Sequence, residues 1–454
     1  MTKLFGTNGI RGVTNKELTP EFASDMGLAI GTFFANGNVI IGTDTRTSNH
    51  MLKSAVISGL LASGCGVVDV GVVPTPALQY AVKMYKSAGG VVITASHNPP
   101  EFNGIKCIDS DGTELPKEKE EKIEEIYFSK KFNMVEWSKI KPVKIDENVN
   151  EMYIDGVMKC VDANIIKNRG LKVVLDCANG AGSLVSPYLL ERLGCKVITL
   201  NAHPDGTFPG HPSEPTPENA ADLIKVVKNV GADLGVLHDG DADRTVFVDE
   251  NGTYVPGEKS LAFVGKEMLV KNGGGIIVTP VATSSCVEEL AKKHNGRVIY
   301  TRVGSPIVAR VMIEKGALFG GEENGGLIFP EHQYCRDGAM SAAKVIEIMI
   351  QRKKKLSELV GEVPKYFVVK AKISCPDNKK EYLLKKMAEY AKGTGDKFDT
   401  TDGTKIFTKE GWVLVRPSGT EPLCRIYGET KDLDKSKKIT EEYKTLAEKI
   451  VKSG

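Results

Sequence analysis

The sequence lacks long apolar runs and paired cysteines. No stretch approaches the roughly 20 apolar residues that a membrane-spanning helix requires, and the opening MTKLFGTNGIRG has no apolar core of the signal-peptide kind. The nine cysteines are scattered, odd in number and without a C-x-x-C pair, which argues against a disulfide framework or a zinc site. We therefore expect a cytoplasmic protein with reduced thiols and no membrane partner.

The sequence also lacks an excess of either charge. Its 60 lysines and arginines and its 58 aspartates and glutamates give a formal net charge of +2. A balance this close to neutral gives no reason to expect nucleic acid as a partner. Any affinity for anions must therefore come from local clusters of residues.

Several common catalytic motifs are absent. There is no G-x-x-x-x-G-K-[ST] phosphate loop and no H-E-x-x-H pair, so P-loop nucleotide chemistry and zinc hydrolysis have little support. The segment NGAGSL (179–184) lacks the third glycine of a dinucleotide fingerprint. His203, His211 and His238 are interpreted as loop or core residues rather than metal ligands.

Short β-branched runs alternate with longer amphipathic segments. The run at 38–44 precedes a helix-like segment at 51–64 and a second run at 67–71, and the same order recurs from 171 and from 273. This alternation is typical of α/β proteins with mostly parallel, helix-covered sheets. A chain of 454 residues also exceeds what one hydrophobic core supports, so we expect two to four domains.

A coarse internal repeat underlies the alternation. Three strands end in loops of small residues, IGTDTRTS, LDCANGAGS and VTPVATSS. Three later strands end in loops dense with polar groups: VVITASHNP (91–99), LGVLHDGDADR (234–244) and ALFGGEENGG (317–326). The order predicts three related α/β domains with mixed, mostly parallel sheets, each placing a loop at the carboxyl end of a strand, where such sheets bind ligands.

Composition shifts divide the chain into four predicted domains. We expect α/β domains at 1–150, 151–254 and 255–365, and a smaller C-terminal α+β domain at 366–454. The last one has strands around WVLVRPSGTEPLCRIYGE and finishes in a helix rich in lysine and glutamate.

The segment HDGDADR places Asp239, Asp241 and Asp243 at alternate positions. Each pair of like charges at ~4 Å costs about 4 kcal/mol at an effective dielectric constant near 20, so a cation among them is favoured. Mg²⁺ is the usual hard ion beside phosphates. An EF-hand is disfavoured, because Arg244 stands where that loop needs glycine and the flanks are strand-like. A purely structural acidic turn stays as an alternative.

Four further stretches carry polar groups that are suited to a ligand site. Ser96, in TASHNPPEFNGIK, is either a turn residue or a reacting group. RPSGTEP offers an arginine fork, hydroxyls and accessible backbone N–H groups, as in a phosphate cradle, although a hairpin turn is equally consistent. GGEENGG is interpreted either as a loop that binds sugar hydroxyls or as an ordinary exposed loop. FGTNGIRG is interpreted either as an anion contact or as an ordinary exposed loop.

Five stretches of the chain together closely resemble the motifs of the α-D-phosphohexomutase superfamily. In chain order they are FGTNGIRG, TASHNP, DGDADR, GEENG and RPSGTEP. The resemblance covers essentially the whole chain. In overall form the chain is similar to archaeal enzymes of the phosphoglucomutase/phosphomannomutase type, and phosphoglucosamine mutases are close relatives of these enzymes. The resemblance implies three alike α/β domains and a fourth, phosphate-binding domain around one central cleft.

The resemblance also implies a reacting centre. Ser96 would be carried as phosphoserine and would transfer its phosphoryl group, with Arg244 nearby. A phosphate oxygen on Ser96 would hold Mg²⁺ together with Asp239, Asp241 and Asp243.

Further residues match family positions around that centre. Arg11, His97 and Lys106 would line it, with His97 and Lys106 as candidates for proton transfer. Glu322 and Asn324 would grip sugar hydroxyls. The phosphate that is not being transferred would be bound by Arg416, Ser418, Gly419 and Thr420.

Two departures from the family pattern concern sugar recognition. Many relatives have serine where Asn324 stands and histidine where Gly326 stands. The loop TRVGSPIV carries Ser305 at a position where relatives have different residues, so this loop is a candidate for setting the substrate.

The expected activity is interconversion of hexose 1-phosphate and hexose 6-phosphate, with glucose and mannose phosphates favoured. Hexose 1,6-bisphosphate would serve as intermediate and activator, hexose phosphates would be the partners, and the chain would be a monomer or a homo-oligomer. The alternatives are a phosphoglucosamine mutase, a phosphatase with a phosphoserine intermediate, and a non-catalytic sugar-phosphate sensor.

Overall fold

The structure, a computed structural model, describes residues 4–6, 8–419 and 421–453. A six-stranded first sheet comprises β1 (Ile10–Val13), β2 (Asn38–Thr43), β3 (Gly66–Val72), β4 (Gly89–Ile93), β5 (Phe102–Asp109) and β6 (Val143–Ile145). The helices of this part are α1 (Pro20–Phe34), α2 (Asn49–Ala62), α3 (Thr75–Met84) and α4 (Lys117–Ser129). The strand order is β1-β5-β4-β2-β3-β6.

The second sheet has the order β11-β10-β9-β7-β8. Its strands are β7 (Lys172–Asp176), β8 (Lys196–Leu200), β9 (Leu234–His238), β10 (Thr245–Val248) and β11 (Tyr254–Val255). The helices in this part of the chain are α5 (Val149–Met158), α6 (Ala163–Arg169), α7 (Ser186–Arg192) and α8 (Ala221–Val230).

The third sheet has the order β13-β12-β14-β15. Its strands are β12 (Gly275–Pro280), β13 (Gly296–Thr301), β14 (Phe319–Gly321) and β15 (Leu327–Ile328). The helices here are α9 (Gly257–Asn272), α10 (Ser285–Lys293), α11 (Ser305–Lys315), α12 (Gly338–Arg352) and α13 (Leu356–Gly361).

The fourth sheet is entirely antiparallel, in the order β16-β20-β19-β18-β17. Its strands are β16 (Phe367–Ser374), β17 (Lys397–Asp399), β18 (Thr404–Phe407), β19 (Gly411–Pro417) and β20 (Leu423–Thr430). Its helices are α14 (Asp377–Thr394) and α15 (Leu433–Ser453).

The first three sheets share one pairing pattern. A central strand (β2, β7 or β12) pairs in parallel with the two strands that follow it, and the second of these pairs antiparallel with the next. The three polar loops of the sequence repeat each join that last antiparallel pair. The predicted fold class is confirmed: three related α/β units with mixed sheets, and a fourth antiparallel α+β unit.

The alternation of side chains along the strands places apolar residues on both faces of the first sheet. Val39 and Ile41 of β2 face a core that they form with α1, α2 and α4. Ile40, between them, faces a core that continues into the second and third sheets through residues such as Val173 and Ile277. One continuous core therefore joins the three units and positions their loops.

The fourth unit has its own core and a smaller contact with the third. Val281 and Ala282, after β12, pack against Trp412 and Leu414 of β19. Lys405 of β18 donates to the Val281 carbonyl at 2.7 Å. Among the described residues, none of the helices combines the length and apolarity that crossing a membrane requires.

Candidate active site

The polar loops that follow β4 and β9 meet directly. The Ser96 hydroxyl donates to Asp239 Oδ2 at 2.9 Å, although the two residues are 143 positions apart. Both side chains are buried, with relative exposures of 1% for Ser96 and 0% for Asp239. The contact depends on Gly240, because a Cβ at that position would lie 2.6 Å from the Ser96 carbonyl oxygen.

Ser96 has an unusual backbone conformation. Its φ is 53°, in the left-handed region that non-glycine residues seldom adopt. Its N–H donates to Thr94 Oγ1 at 2.9 Å, and its hydroxyl also lies 3.4 Å from His97 Nδ1. Residues held in such conformations cluster at functional sites, so this geometry favours a reacting group over a plain turn residue.

The three aspartates form one buried cluster. Asp239, Asp241 and Asp243 each offer an oxygen within 4.8 Å of the others. Basic groups contact every one of them: Arg244 Nε donates to Asp239 at 2.9 Å and Lys106 Nζ to Asp241 at 2.6 Å, while Arg336 donates to Asp243. The loop joins two antiparallel strands, β9 and β10, so it is not the helix–loop–helix of an EF-hand.

The electrostatics of the cluster are uneven. Burial raises the pKa of Asp239 to about 7, because the loss of water outweighs the attraction of Arg244. Burial also acts to raise the pKa of Asp241, but Lys106, the Thr75 hydroxyl and Arg336 together outweigh it and hold that pKa far below its usual value. A further cation beside Asp239 would remove the cost of its negative charge.

The donor set fits a hard divalent ion. The Oδ1 atoms of Asp241 and Asp243 are buried and have no hydrogen-bond partner within the part of the chain that the structure describes. An unpaired buried carboxylate oxygen is costly, and metal coordination is one of the few ways to satisfy it. Three carboxylates on one short loop are oxygen ligands of the kind that Mg²⁺ prefers.

The other residues predicted for the reacting centre lie around this cluster. Lys106, on β5, is 1% exposed, and Arg11, on the neighbouring β1, donates to Asn98 Oδ1 at 2.7 Å. Burial, together with the positive charges of Arg244 and Arg11, holds the pKa of His97 far below its usual value. The His97 imidazole is therefore neutral at physiological pH.

The loop after β14 is connected to the aspartates through Arg336. Its Nη1 donates to Glu322 at 2.8 Å, and its Nη2 donates to Asp243. Gly326 makes room for this arginine, because a Cβ there would lie 2.2 Å from Arg336 Cδ. Asn324 is exposed, and its Oδ1 accepts from the Gly326 N–H at 3.2 Å. Glu322 thus belongs to the buried network, whereas Asn324 lies at its surface.

The loop that contains Ser305 also borders this network. The Gly304 N–H donates to Glu322 Oε1 at 3.1 Å. The Ser305 hydroxyl donates to Glu114 Oε1 at 3.0 Å, which joins the third unit to the first. Residues 304 and 305 are therefore adjacent to the predicted sugar-binding carboxylate.

The RPSGTEP motif starts on β19, which carries Arg416 and Pro417, and stands immediately before β20 in the chain. Arg416 Nε donates to Asp402 Oδ2 at 2.6 Å, and the same oxygen accepts from the Val303 N–H at 3.0 Å. Ser418 Oγ accepts from a backbone N–H within the turn, and Gly419 is exposed. Thr420, also predicted to bind phosphate, lies outside the described residues. Asp402 thus links the predicted phosphate arginine to the loop of the third unit.

Sequence reasoning missed Arg336 and Asp402. Each is a single charged residue in a segment without a recognisable motif, and its importance comes from partners far away in the chain. The one available signal for Arg336 is its position beside residues of a strongly apolar helix, where a charged group needs a partner.

Comparison with known proteins gives an independent result. Residues 2–134, 151–252 and 256–367 match the profiles of phosphoglucomutase/phosphomannomutase alpha/beta/alpha domains I, II and III, and residues 371–446 match the profile of the C-terminal domain. These segments contain the polar loops and the turn described above.

Relatives match over the full length. A phosphoglucomutase/phosphomannomutase of Thermococcus kodakarensis is 49% identical over 100% of both chains. A phosphoglucosamine/phosphogalactosamine mutase of Sulfurisphaera tokodaii is 44% identical over 99% of this chain and 100% of its own. A crystal structure of a family protein from Burkholderia thailandensis superimposes with a TM-score of 0.88 at 26% identity, covering 100% of this chain and 98% of that one. The chain belongs to the phosphoglucomutase/phosphomannomutase family.

Proposed function

We propose that this protein is a phosphohexomutase that interconverts hexose 1-phosphates and hexose 6-phosphates through a phosphoserine at Ser96. The observation that carries the proposal is the contact of the Ser96 hydroxyl with Asp239, at 2.9 Å, beside two further carboxylates with unpartnered oxygens. A serine on a left-handed turn against a buried cation site is suited to holding a phosphoryl group and is unlike an ordinary loop residue.

In the first half-reaction the phosphoryl group leaves Ser96 Oγ and bonds to the free hydroxyl oxygen of the sugar phosphate. That hydroxyl gives its proton to a basic group of the site and Ser96 Oγ takes up a proton as the phosphoryl group leaves, so the products are a hexose 1,6-bisphosphate and a free serine hydroxyl. In the second half-reaction the other phosphoryl group moves to Ser96 Oγ, so the enzyme is phosphorylated again and the isomeric monophosphate departs. Catalysis here consists mainly of positioning and charge stabilisation.

The charges around Ser96 explain why a divalent ion is needed. The basic side chains of Lys106, Arg11, Arg244 and Arg336 match in number the carboxylates of Asp239, Asp241, Asp243 and Glu322. A phosphoserine adds nearly two negative charges to this balanced set. Asp239, Asp241, Asp243 and a phosphate oxygen on Ser96 would hold Mg²⁺, which when bound supplies two positive charges to the transferring phosphoryl group.

Proton transfer at the sugar hydroxyl is assigned to the two groups predicted for it. His97, whose pKa burial holds low, is a neutral imidazole next to Ser96 Oγ. Lys106 lies against Asp241 and contributes a positive charge on the opposite strand. His97 thus lies next to the serine hydroxyl, and Lys106 reaches the same aspartate cluster through Asp241.

Substrate binding is assigned to the two remaining loops. Glu322 and Asn324 would contact the sugar hydroxyls, and Arg416, Ser418, Gly419 and Thr420 would bind the phosphate that is not transferred. The link from Arg416 through Asp402 to Val303 supports this assignment, because it ties the phosphate loop to the loop beside Glu322. Glucose and mannose phosphates are favoured by the name of the Thermococcus relative. Glucosamine phosphate is the second candidate, from the name of the Sulfurisphaera relative.

The test is a parallel assay on glucose, mannose and glucosamine 1-phosphates, with Mg²⁺ and a trace of hexose 1,6-bisphosphate. We expect ³¹P NMR to detect the 6-phosphate formed from each sugar. The three rates of formation then rank the sugars as substrates. Inorganic phosphate released as fast as substrate disappears would identify a phosphatase instead. Binding of the sugar phosphates without any conversion would identify a sensor.

Replacing the predicted phosphate arginine should weaken substrate binding. For Arg416→Ala we expect KM for hexose phosphates to rise about 10- to 100-fold with a smaller change in kcat, because a charge-assisted contact to the phosphate is lost. The measurement is steady-state kinetics over a wide substrate range. Arg192→Ala, which removes an exposed arginine paired with Glu151, is the matched control. A lower melting temperature with an unchanged KM would identify RPSGTEP as a structural hairpin turn.

A further inference from the structure

A buried arginine stands behind the Ser96 loop. Arg46, in the IGTDTRTS loop after β2, is 2% exposed and uses all five of its guanidinium N–H groups. Nε donates to Asp44 Oδ2 at 3.1 Å. The other four N–H groups donate, at 2.6–2.9 Å, to the backbone carbonyls of Ser96, Asn98, Pro99 and Phe102. One side chain therefore fixes the whole turn from Ser96 to the start of β5.

The same loop also reaches the backbone N–H of Ser96. Asp44 Oδ2, which accepts from Arg46, also accepts from the Thr94 hydroxyl at 2.6 Å. Thr94 Oγ1 in turn accepts from the Ser96 N–H at 2.9 Å. Asn49 donates to Asp44 Oδ1 at 2.8 Å and so orients the carboxylate. Ser96 is thus held on both sides, at its carbonyl by Arg46 and at its N–H by Thr94.

Gly206 and Phe208, which precede α8 in the chain, cover Arg46 and its loop. The ring of Phe208 lies over the Arg46 guanidinium, with its centroid 5.0 Å from Cζ. Gly206 packs so closely that a Cβ there would lie 2.4 Å from the Thr47 nitrogen. Arg46 is therefore enclosed between two units, and its five guanidinium hydrogen bonds go to Asp44 and to the Ser96 turn rather than to the aspartate cluster.

We propose that Arg46 is a positioning residue for phosphoryl transfer, which keeps the Ser96 loop in the left-handed conformation that directs Oγ at Asp239. The inference rests on the proposed function of Ser96. Five donors in a rigid planar fork match five acceptors here, and lysine, with three donors on a flexible stem, cannot replace them. A serine displaced by about 1 Å would lose about 100-fold in transfer rate.

The test compares Arg46→Lys with the unmodified protein and with Arg352→Lys, a control at the end of α12 whose partners are Glu267 and Glu362. We expect Arg46→Lys to lower kcat, and the rate at which hexose 1,6-bisphosphate phosphorylates Ser96, by about 100-fold with KM nearly unchanged. A merely structural arginine would lower the melting temperature and leave both rates per folded protein intact. That result would overturn the proposal.

A second pair of variants covers the case in which Arg46→Lys does not fold. Thr94→Val keeps the shape of the side chain but removes the hydroxyl between Asp44 and Ser96, whereas Thr94→Ser keeps that hydroxyl. We expect Thr94→Val to lose about 10-fold or more in kcat and Thr94→Ser to restore most of it. Equal kcat values for the two variants would contradict the proposal. Absence of isomerisation by the unmodified protein in the same assay would instead be a failure of the proposed function.

Discussion

Ser96→Ala is expected to fold normally and to lose phosphoryl transfer by about four to six orders of magnitude, as enzymes do when their nucleophile is removed. The substitution deletes only Oγ, whose partners are Asp239 and His97. Asp239 keeps its contacts with Arg244, so the buried carboxylate stays paired and the melting temperature should change little. The measurements are the rate of isomerisation by ³¹P NMR and thermal melting by circular dichroism.

The matched control for this variant is Ser213→Ala. Ser213 is also a buried serine, and its hydroxyl contacts the Ser96 carbonyl rather than Oγ. We expect this control to keep activity within about an order of magnitude of the unmodified protein, since one neutral hydrogen bond is worth about 1 kcal/mol. Near-normal turnover by Ser96→Ala would end the phosphoserine proposal.

The second large effect concerns the aspartate cluster. Asp241→Asn should weaken activation by Mg²⁺ and lower kcat together, the latter by about 100- to 1,000-fold, the usual cost of removing one charge-stabilising group. The fold should persist, because the amide oxygen can still accept from Lys106 and Thr75 as the carboxylate does. The measurements are activity as a function of Mg²⁺ concentration and calorimetric titration with Mg²⁺.

Asp69→Asn is the matched control for the metal site. Asp69 is likewise paired with a lysine, Lys53, but it lies on β3 and does not belong to the aspartate cluster. Its Mg²⁺ titration should match that of the unmodified protein. An unchanged titration for Asp241→Asn would show that the cluster is a structural acidic turn and would contradict the metal assignment.

Local patterns predicted those parts of the structure that local physics determines. The β-branched runs became β2, β7 and β12 because such residues favour strands, and the repeated order of loops predicted three like units. Alternate aspartates could be read as a cation site because their mutual repulsion depends only on their spacing along the chain. The domain boundaries near 150, 254 and 365 stay predictions.

Contacts between distant segments could not be predicted in this way. Arg336 bridges Asp243 and Glu322 only because the second and third units share one core. Arg46 looked like part of a small-residue loop, and four of its five acceptors are backbone carbonyls that the folded turn from Ser96 onward brings together. The number and direction of such hydrogen bonds depend on tertiary packing, which a single sequence does not encode in any short motif.

Peptide-level mass spectrometry of the protein during turnover tests the central claim most directly. The protein is incubated with hexose 1,6-bisphosphate and Mg²⁺, and is then exposed to a hexose monophosphate. We expect one phosphoryl group on the peptide that contains Ser96. On addition of the monophosphate this phosphoryl group should be lost from the peptide, and an equal amount of bisphosphate should form. Steady isomerisation by protein that never carries a phosphoryl group on Ser96 would contradict the account.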